Sequence, residues 1–433
     1  MSKKDKTKVK TQVSHLESDV HVDVPDEEIW TYKIEGLAAP HINKPFKNAL
    51  AKKITLVIII IIAVSISMFF SIYSVVRSTG TEFEQNEKGY TITRYSNKEK
   101  KPIDVIDVDY VFDIENGKQK KDTDKPITEI KRFAFNESDC KVVNIGANVE
   151  YIDEMAFYSC WSLQRIEVDE NNPNYSDVDG VLYNKDQTVL INYPCNHDQY
   201  LRVKYGYDIE DSEKKDGDWD KYKEPHRWTT TEEYSAQLGK PDVTIEQYRK
   251  DIQTYVVPSS VEIISDLAFA YTNVQEIYLP EGLKRIETSG FFKLHEPASW
   301  GGNTPSLDNI YTYKSKTAVT DTAFTSKEAL GEVYKSLPEG LEYIGSDAFS
   351  YNQELQYLYI PESVKYIGHH AFWDTLYEDD NTGELKGITE IFAALDEDSF
   401  SSNVETGDQW RPQYDYILFR KSVDVNYSAQ RAE

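Results

Sequence analysis

A small residue followed by phenylalanine recurs eight times in this chain, and each time an aliphatic residue stands five positions before the ring. The pairs are Ala134-Phe135, Ala156-Phe157, Ala268-Phe269, Gly290-Phe291, Ala323-Phe324, Ala348-Phe349, Ala371-Phe372 and Ser399-Phe400. Their aliphatic partners are Ile130, Ile152, Ile264, Ile286, Val319, Ile344, Ile367 and Leu395. In seven copies a further apolar residue lies eight positions before the ring: Ile127, Val149, Val261, Leu283, Leu341, Val364 and Phe392, with Lys316 the exception. Linked positions of this kind mark stacked repeats, in which no unit buries its apolar edge alone. Stacks present extended surfaces more readily than clefts.

After the ring comes an apolar pair three apart: Val142/Ile145, Leu163/Ile166, Val274/Ile277, Leu307/Ile310, Leu330/Val333, Leu355/Leu358 and Ile388/Ile391. Where the rhythm is undisturbed, ring-to-ring spacing is 22 to 25 residues, as from 135 to 157, 269 to 291, 324 to 349 and 349 to 372. That period falls in the range of roughly 20–29 residues typical of leucine-rich repeats. The run Leu355-x-x-Leu358-x-Ile360-Pro361 supplies a short strand with a proline to end it. The small-Phe pair then belongs on the return limb, where a small side chain permits close backbone approach.

The units resemble the BspA-type leucine-rich repeats of bacterial surface proteins. Asp347-Ala348-Phe349, with Leu355, Leu358, Ile360-Pro361 and Val364-Lys365-Tyr366-Ile367-Gly368, carries the likeness, as does Ala156-Phe157-Tyr158-Ser159-Cys160-Trp161-Ser162-Leu163. The stretch from Val168 through Asn174-Tyr175 and Asp179-Gly180-Val181-Leu182-Tyr183 to Tyr193-Pro194 is similar to a hairpin variant of members from Firmicutes. The resemblance covers most of residues 126–400. It implies an extracellular interaction module, some relatives being adhesins, and names no ligand.

Residues 54–76 contain no charged side chain. As a helix they would reach about 34 Å at about 1.5 Å per residue, enough for a hydrocarbon core of about 30 Å. Lys44, Lys47, Lys52 and Lys53 precede the span, while Glu82, Glu84 and Glu87 follow Arg77. Positive flanks stay in the cytosol, so residues 1–53 are expected inside and the remainder outside. A cleaved secretory signal fits less well: the leader is long, the apolar core is long, and no small-x-small site follows.

The expected organisation is therefore a cytoplasmic tail (1–53), a transmembrane signal anchor (54–76), a stalk and N-terminal cap (77–125), a β-rich leucine-rich repeat solenoid (126–400) and a C-terminal cap and tail (401–433). Insertions interrupt the solenoid at 195–254, 293–305 and 375–386. Net charge is −26, with 48 Lys and Arg against 74 Asp and Glu. Such an acidic envelope lacks the phosphate-neutralising cations that nucleic acid demands. Cys140, Cys160 and Cys195 are too few for a disulfide scaffold and read as thiols, although one disulfide among them is an open alternative.

Two candidate ligand surfaces emerge. Tyr278, Tyr311, Tyr334 and Tyr359, with Phe392 as a weaker member, each follow a strand aliphatic, so alternation turns them outward as a ladder at about 4.8 Å per step. Tyrosines also favour strands for stability alone. The second candidate is the 195–254 insertion with Trp219 and Trp228, the alternative being a satellite cluster folded onto the repeat flank. Its end, 244–254, reads as a short helix. Asp216-Gly217-Asp218-Trp219-Asp220 mimics a calcium loop, but Lys221 and Arg227 stand where glycine and glutamate are required. No catalytic, metal or cofactor motif is present, and the adjacent His369-His370 would project oppositely from an extended chain. These features lead us to expect a membrane-anchored, non-enzymatic protein that recognises an extracellular protein or glycan. One alternative is an envelope sensor signalling through a tail motif at Trp30 to Leu37; another is a glycan binder using the 195–254 insertion.

Overall fold

The two spacings read from the sequence become two strands per repeat. The computed structural model describes residues 80–97, 103–208, 213, 215, 243–293, 306–378, 382–414 and 421–431. The expected tail and anchor (1–53 and 54–76), the Asp216 to Asp220 run, Trp219 and Trp228 lie outside the described residues. Among the described residues no helix is long and apolar enough to cross a membrane.

The aliphatic five before the ring ends a two-residue strand at Ile152, Ile264, Ile286, Ile344 and Ile367. Ile263–Ile264, Arg285–Ile286, Tyr343–Ile344, Tyr366–Ile367 and Glu405–Thr406 pair in parallel, each in register with the next. Ile264, Ile286, Ile344 and Ile367 are fully buried. The apolar pair after the ring leads into a longer strand. These pair in three parallel sets: Val105–Val108, Val142–Ile145 and Arg165–Val168; Thr254–Val256, Glu276–Pro280 and Asn309–Lys314; Leu358–Ile360, Ile391–Ala393 and Val425–Asn426.

Between the strands the rings stack. Tyr95, Phe135 and Phe157 follow one another at centroid distances of 5.4 and 5.3 Å. Tyr193, Phe269, Phe291, Phe349 and Phe372 continue at 5.2, 5.0, 5.2 and 5.2 Å. The amide of each ring residue donates to the residue before the next ring: Phe269 to Gly290, Phe291 to Ala348, Phe349 to Ala371. A larger side chain there would hold the rungs apart. Tyr95 and Tyr193 take the same place on a tighter turn, donating to the carbonyls of Ala134 and Ala268. Three residues after the ring, a polar side chain satisfies a buried turn carbonyl. Thr272 Oγ1 donates to Phe269 O at 3.0 Å, Asn352 Nδ2 to Phe349 O at 2.9 Å, Thr375 Oγ1 to Phe372 O at 2.8 Å, and Cys160 Sγ to Phe135 O at 2.8 Å.

The long interval between Phe157 and Phe269 holds the hairpin Tyr175–Val178 with Val181–Asn184, followed by Val189–Asn192. These strands form a partition. Leu182 and Ile191 belong to the N-terminal core with Ile92 through Ile166, while Val181, Tyr183 and Leu190 belong to the C-terminal core reaching Val423. Alternation of side chains across a strand makes one hairpin serve two cores. All three cysteines are free thiols. Burial pushes the Cys140 thiol up to about 12.

Two of the eight pairs are not rungs. Arg285–Ile286 pairs directly with Tyr343–Ile344, and Phe291 stacks on Phe349, leaving no place between them for Ala323-Phe324. Phe324 instead stacks on Tyr278 at 4.7 Å outside the ring column. Lys316, which breaks the apolar pattern of that copy, was the signal. Ser399-Phe400 lies in the helix Glu397–Asn403, capped by Asp396, whose carboxylate accepts from Ser399 N at 2.9 Å. The last rung is Glu405–Thr406, with Trp410 O accepting the amide of Phe372. The segment expected as stalk and cap (77–125) holds the strands Glu82–Gln85, Tyr90–Arg94, Val105–Val108 and Tyr110–Glu115. The strand Lys118–Ile130 runs from it into the first repeat, with Tyr90–Arg94 parallel to Lys118–Ile130.

Candidate functional site

Of the expected tyrosine ladder only the step from Tyr278 to Tyr311 forms, and it is covered; Tyr359 lies in a separate sheet opposite Phe392. Tyr278 and Tyr311 are register partners with rings 4.8 Å apart. Tyr334, however, sits on Glu332–Tyr334, which runs antiparallel to Asn309–Lys314. Tyr278 and Tyr359 are buried, at 3% and 4% exposure, and Tyr311 and Tyr334 are half-buried. The chain between the strands Asn309–Lys314 and Tyr343–Ile344 supplies the cover. Val319 O and Thr322 O accept from the amides of Ser259 and Val256, and Val319, Phe324, Leu330 and Val333 pack with Tyr278, Tyr311 and Tyr313. An open sheet face carrying this many rings is a liability in water, and here the chain buries it itself. Tyr278 and Tyr311 thus belong to a cluster separate from the repeat core, and none of the four tyrosines is fully exposed.

The 195–254 insertion, where described, forms a satellite cluster. Leu201 on the helix His197–Lys204 packs with Tyr207, Tyr248 and Ile252. Its end is helical as expected: Ile245–Tyr248 is capped by Thr244, which accepts from Gln247 N at 3.0 Å, and a wider turn Arg249–Gln253 follows. His197 is buried, its Nδ1 lies 2.7 Å from Gln164 O, and burial lowers its pKa to about 4. That is a neutral packing histidine.

A different edge of the solenoid carries an aromatic array that is exposed at one end, half-buried at Tyr158, Phe292 and Tyr351, and buried at Tyr271. Where the chain turns around each stacked ring, neighbouring positions hold Phe133, Tyr158, Tyr271, Phe292 and Tyr351. These rings contact one another in sequence, Phe133 to Tyr158 at 5.6 Å, Tyr158 to Tyr271 at 5.9 Å, Tyr271 to Phe292 at 5.8 Å and Phe292 to Tyr351 at 5.3 Å. The hydroxyls of Tyr158 and Tyr271 lie 3.1 Å apart, and the Trp161 ring lies tilted at 5.0 Å from Tyr271. Phe133 and Trp161 remain 42% and 46% exposed, so the row faces solvent at its N-terminal end. Phe133, Tyr271 and Tyr351 hold left-handed backbone, with φ of 61°, 63° and 66°. Glycine or asparagine suits that region, and a bulky side chain there costs on the order of 1 kcal/mol.

Carboxylates border this row. Asp153, Glu154, Asp266 and Glu287 occupy the turns that lead from the two-residue strands toward Tyr158, Tyr271 and Phe292. Partial burial raises the pKa of Glu154, and the charges of Asp266, Glu287 and Asp153 raise it further. Sequence reading missed this edge because its aromatics do not keep one repeat position; they sit two before, one after or two after the stacked ring. Their left-handed turns, present at nearly every rung, are the signal that unites them.

A stack of parallel rungs with one ring column is the leucine-rich repeat architecture. The BspA-type leucine-rich repeat region model matches six copies, over residues 109–196 and 247–378, and the chain belongs to that family. Among solved structures, a leucine-rich repeat protein from Eubacterium ventriosum shares 17% identity at a TM-score of 0.36 over 71% of this chain and 64% of that one. The pneumococcal vaccine antigen PcpA shares 17% at 0.32 over 65% and 60%, and a leucine-rich cell surface protein from Faecalibacterium prausnitzii shares 15% at 0.25 over 78% and 94%. The chain thus spans less than two thirds of the length of the first two, 64% and 60%. No curated protein matches it.

Proposed function

We propose that this chain is a membrane-anchored extracellular repeat protein that recognises a protein or glycan at the bacterial cell surface and performs no catalysis. The row of rings from Phe133 to Tyr351 carries this reading, because Phe133 and Trp161 are exposed at its N-terminal end and rings held by their neighbours offer contact area at low entropic cost. Residues 54–76 would anchor the chain, with 1–53 in the cytosol. Family membership supports binding in general.

Protease treatment of intact cells displaying the full chain tests the anchor: the C-terminal portion should be cut while an N-terminal tag stays protected. Recovery of that portion in the medium, free of membrane, would sink it. For recognition, the full-length chain in detergent is expected to capture a cell-envelope or host component. Phe133→Ser with Trp161→Ala should cut capture about fivefold or more, whereas Tyr311→Ala should not.

A further inference from the structure

We infer that the aromatic turn edge docks a cationic polypeptide, a Lys- and Arg-rich segment of another protein laid along the rungs; this rests on the recognition reading above and names its partner class. The first observation is charge. Asp153 and Glu154 come from the turn before Phe157, Asp266 from the turn before Phe269 and Glu287 from the turn before Phe291; Asp266, Glu287 and Asp153 all act on Glu154, and Glu287 and Asp153 act on Asp266. Glu154 is exposed on that edge. Among the described residues, the cations facing the cluster are Arg132, which acts on both Glu154 and Asp266, and Arg285, which pairs with Glu287 at 2.6 Å. More carboxylates than cations meet here among the described residues, so an incoming positive charge relieves repulsion as well as forming new contacts.

The second observation is how this surface already treats its own cations. The Arg132 guanidinium lies 5.2 Å from the centroid of the Phe133 ring, and that of Arg285 lies 3.9 Å from Tyr343. Both arginines stand beside the carboxylate cluster and rest on exposed or half-buried rings. A partner's arginine or lysine set over Trp161 or Tyr158 would repeat that arrangement, with the quadrupole of the ring and a nearby carboxylate acting on one charge.

The third is dimension. Four ring contacts of 5.3 to 5.9 Å link Phe133 to Tyr351, so the row runs roughly 20 Å. An extended peptide of about six residues at ~3.3 Å each covers that length. A small cation would satisfy one carboxylate pair and leave the rings unused.

The test uses the full-length chain in nonionic detergent and fluorescence anisotropy. The probe is a fluorescein-labelled peptide of six Arg-Ser repeats, with a Glu-Ser peptide and a neutral glucan oligosaccharide as comparators. The arginine peptide should bind and weaken as salt is raised. Glu154→Gln with Asp266→Asn should weaken it about tenfold, and Phe133→Ser with Trp161→Ala about fivefold. Asparagine at 266 keeps an acceptor for the Thr288 amide, which now donates to Asp266 at 2.9 Å, so the fold is retained. Glu384→Gln with Glu397→Gln removes equal charge from exposed positions elsewhere and should change nothing.

Equal weakening by the two acid-neutralised variants would show attraction to net charge alone and overturn the inference. So would failure of the arginine peptide to bind, or glucan binding that depends on Trp161. Capture of an envelope component that ignores the acid-neutralised variants but weakens with Phe133→Ser and Trp161→Ala would remove this partner class and leave the recognition reading standing. Absence of any captured component would remove that reading instead.

Discussion

Lys293 follows the stacked Phe291 by two residues and is 2% exposed. Its ammonium donates to the carbonyl of Thr272 and to Thr272 Oγ1. Burial pulls its pKa from 10.5 down to about 7, against a smaller opposite push from Cys195. In the unfolded chain the amine keeps its ordinary value, so between about pH 7 and 10.5 the unfolded state binds more protons. Stability therefore rises with pH through that window and is lowest below it. At about 1.4 kcal/mol per pH unit, burying this amine costs roughly 4–5 kcal/mol at pH 6. Lys293→Met should raise the melting temperature at pH 6 and give little gain at pH 10; an equal gain at both would refute the assignment. The repeat period located Phe291 from sequence but gave no warning of Lys293, because the period fixes backbone positions and says nothing of polarity two residues on. Asn352 and Thr375 show what such turns ordinarily need, a short polar group that reaches a carbonyl without bringing a charge.

The two-residue strands make contact through backbone, and this constrains the residue that comes directly after each of them. Gly345, Gly368 and Gly407 occupy that position and donate to Ile286 O, Ile344 O and Ile367 O of the preceding rung. A Cβ added at Gly368 would fall under 3.0 Å from the backbone of Gly345 and Ser346. Neither neighbour has a flexible end that can yield, so Gly368→Ala must push adjacent rungs apart, at about 1–3 kcal/mol. Gly282, with nothing within 4 Å of its would-be Cβ, is the matched control, and Gly282→Ala should be neutral or slightly stabilising. Denaturant midpoints of the two variants check this, and equal midpoints would refute it. At this scale the small-Phe pair and its aliphatic predicted the strands well wherever the unit was regular. They failed at Ala323-Phe324 and Ser399-Phe400, where the same spacing arises in an outer covering segment and in a helix. A local match cannot tell a rung from its imitation; a parallel neighbour on each side can.

Over the whole repeat array, the covering of the tyrosine face is completed from far along the chain. Arg431 donates to both carboxylate oxygens of Glu281 at 3.1 Å and to Ser336 Oγ at 2.7 Å. Its guanidinium lies 4.0 Å from the centroid of Tyr334. Val425–Asn426 brings it there by pairing in parallel with Ile391–Ala393, so the terminal segment continues the long-strand sheet before reaching back. No sequence period links residue 431 to residue 281, which is why the tyrosines read as an open face from sequence and are closed in the fold. The bidentate geometry and a 13% exposed side chain make this pair stronger than an ordinary surface contact, and Arg431→Ala should cost about 1–2 kcal/mol. That loss should be local. Hydrogen exchange should quicken across 315–340, where the cover rests on Tyr278 and Tyr311, while the amides of Gly345 and Gly368 stay protected by their rungs. If exchange across 315–340 is unchanged, Arg431 does not hold the cover. If the rung amides quicken together with it, cover and stack open as one cooperative unit, and the tyrosine face belongs to the core rather than to a separate surface.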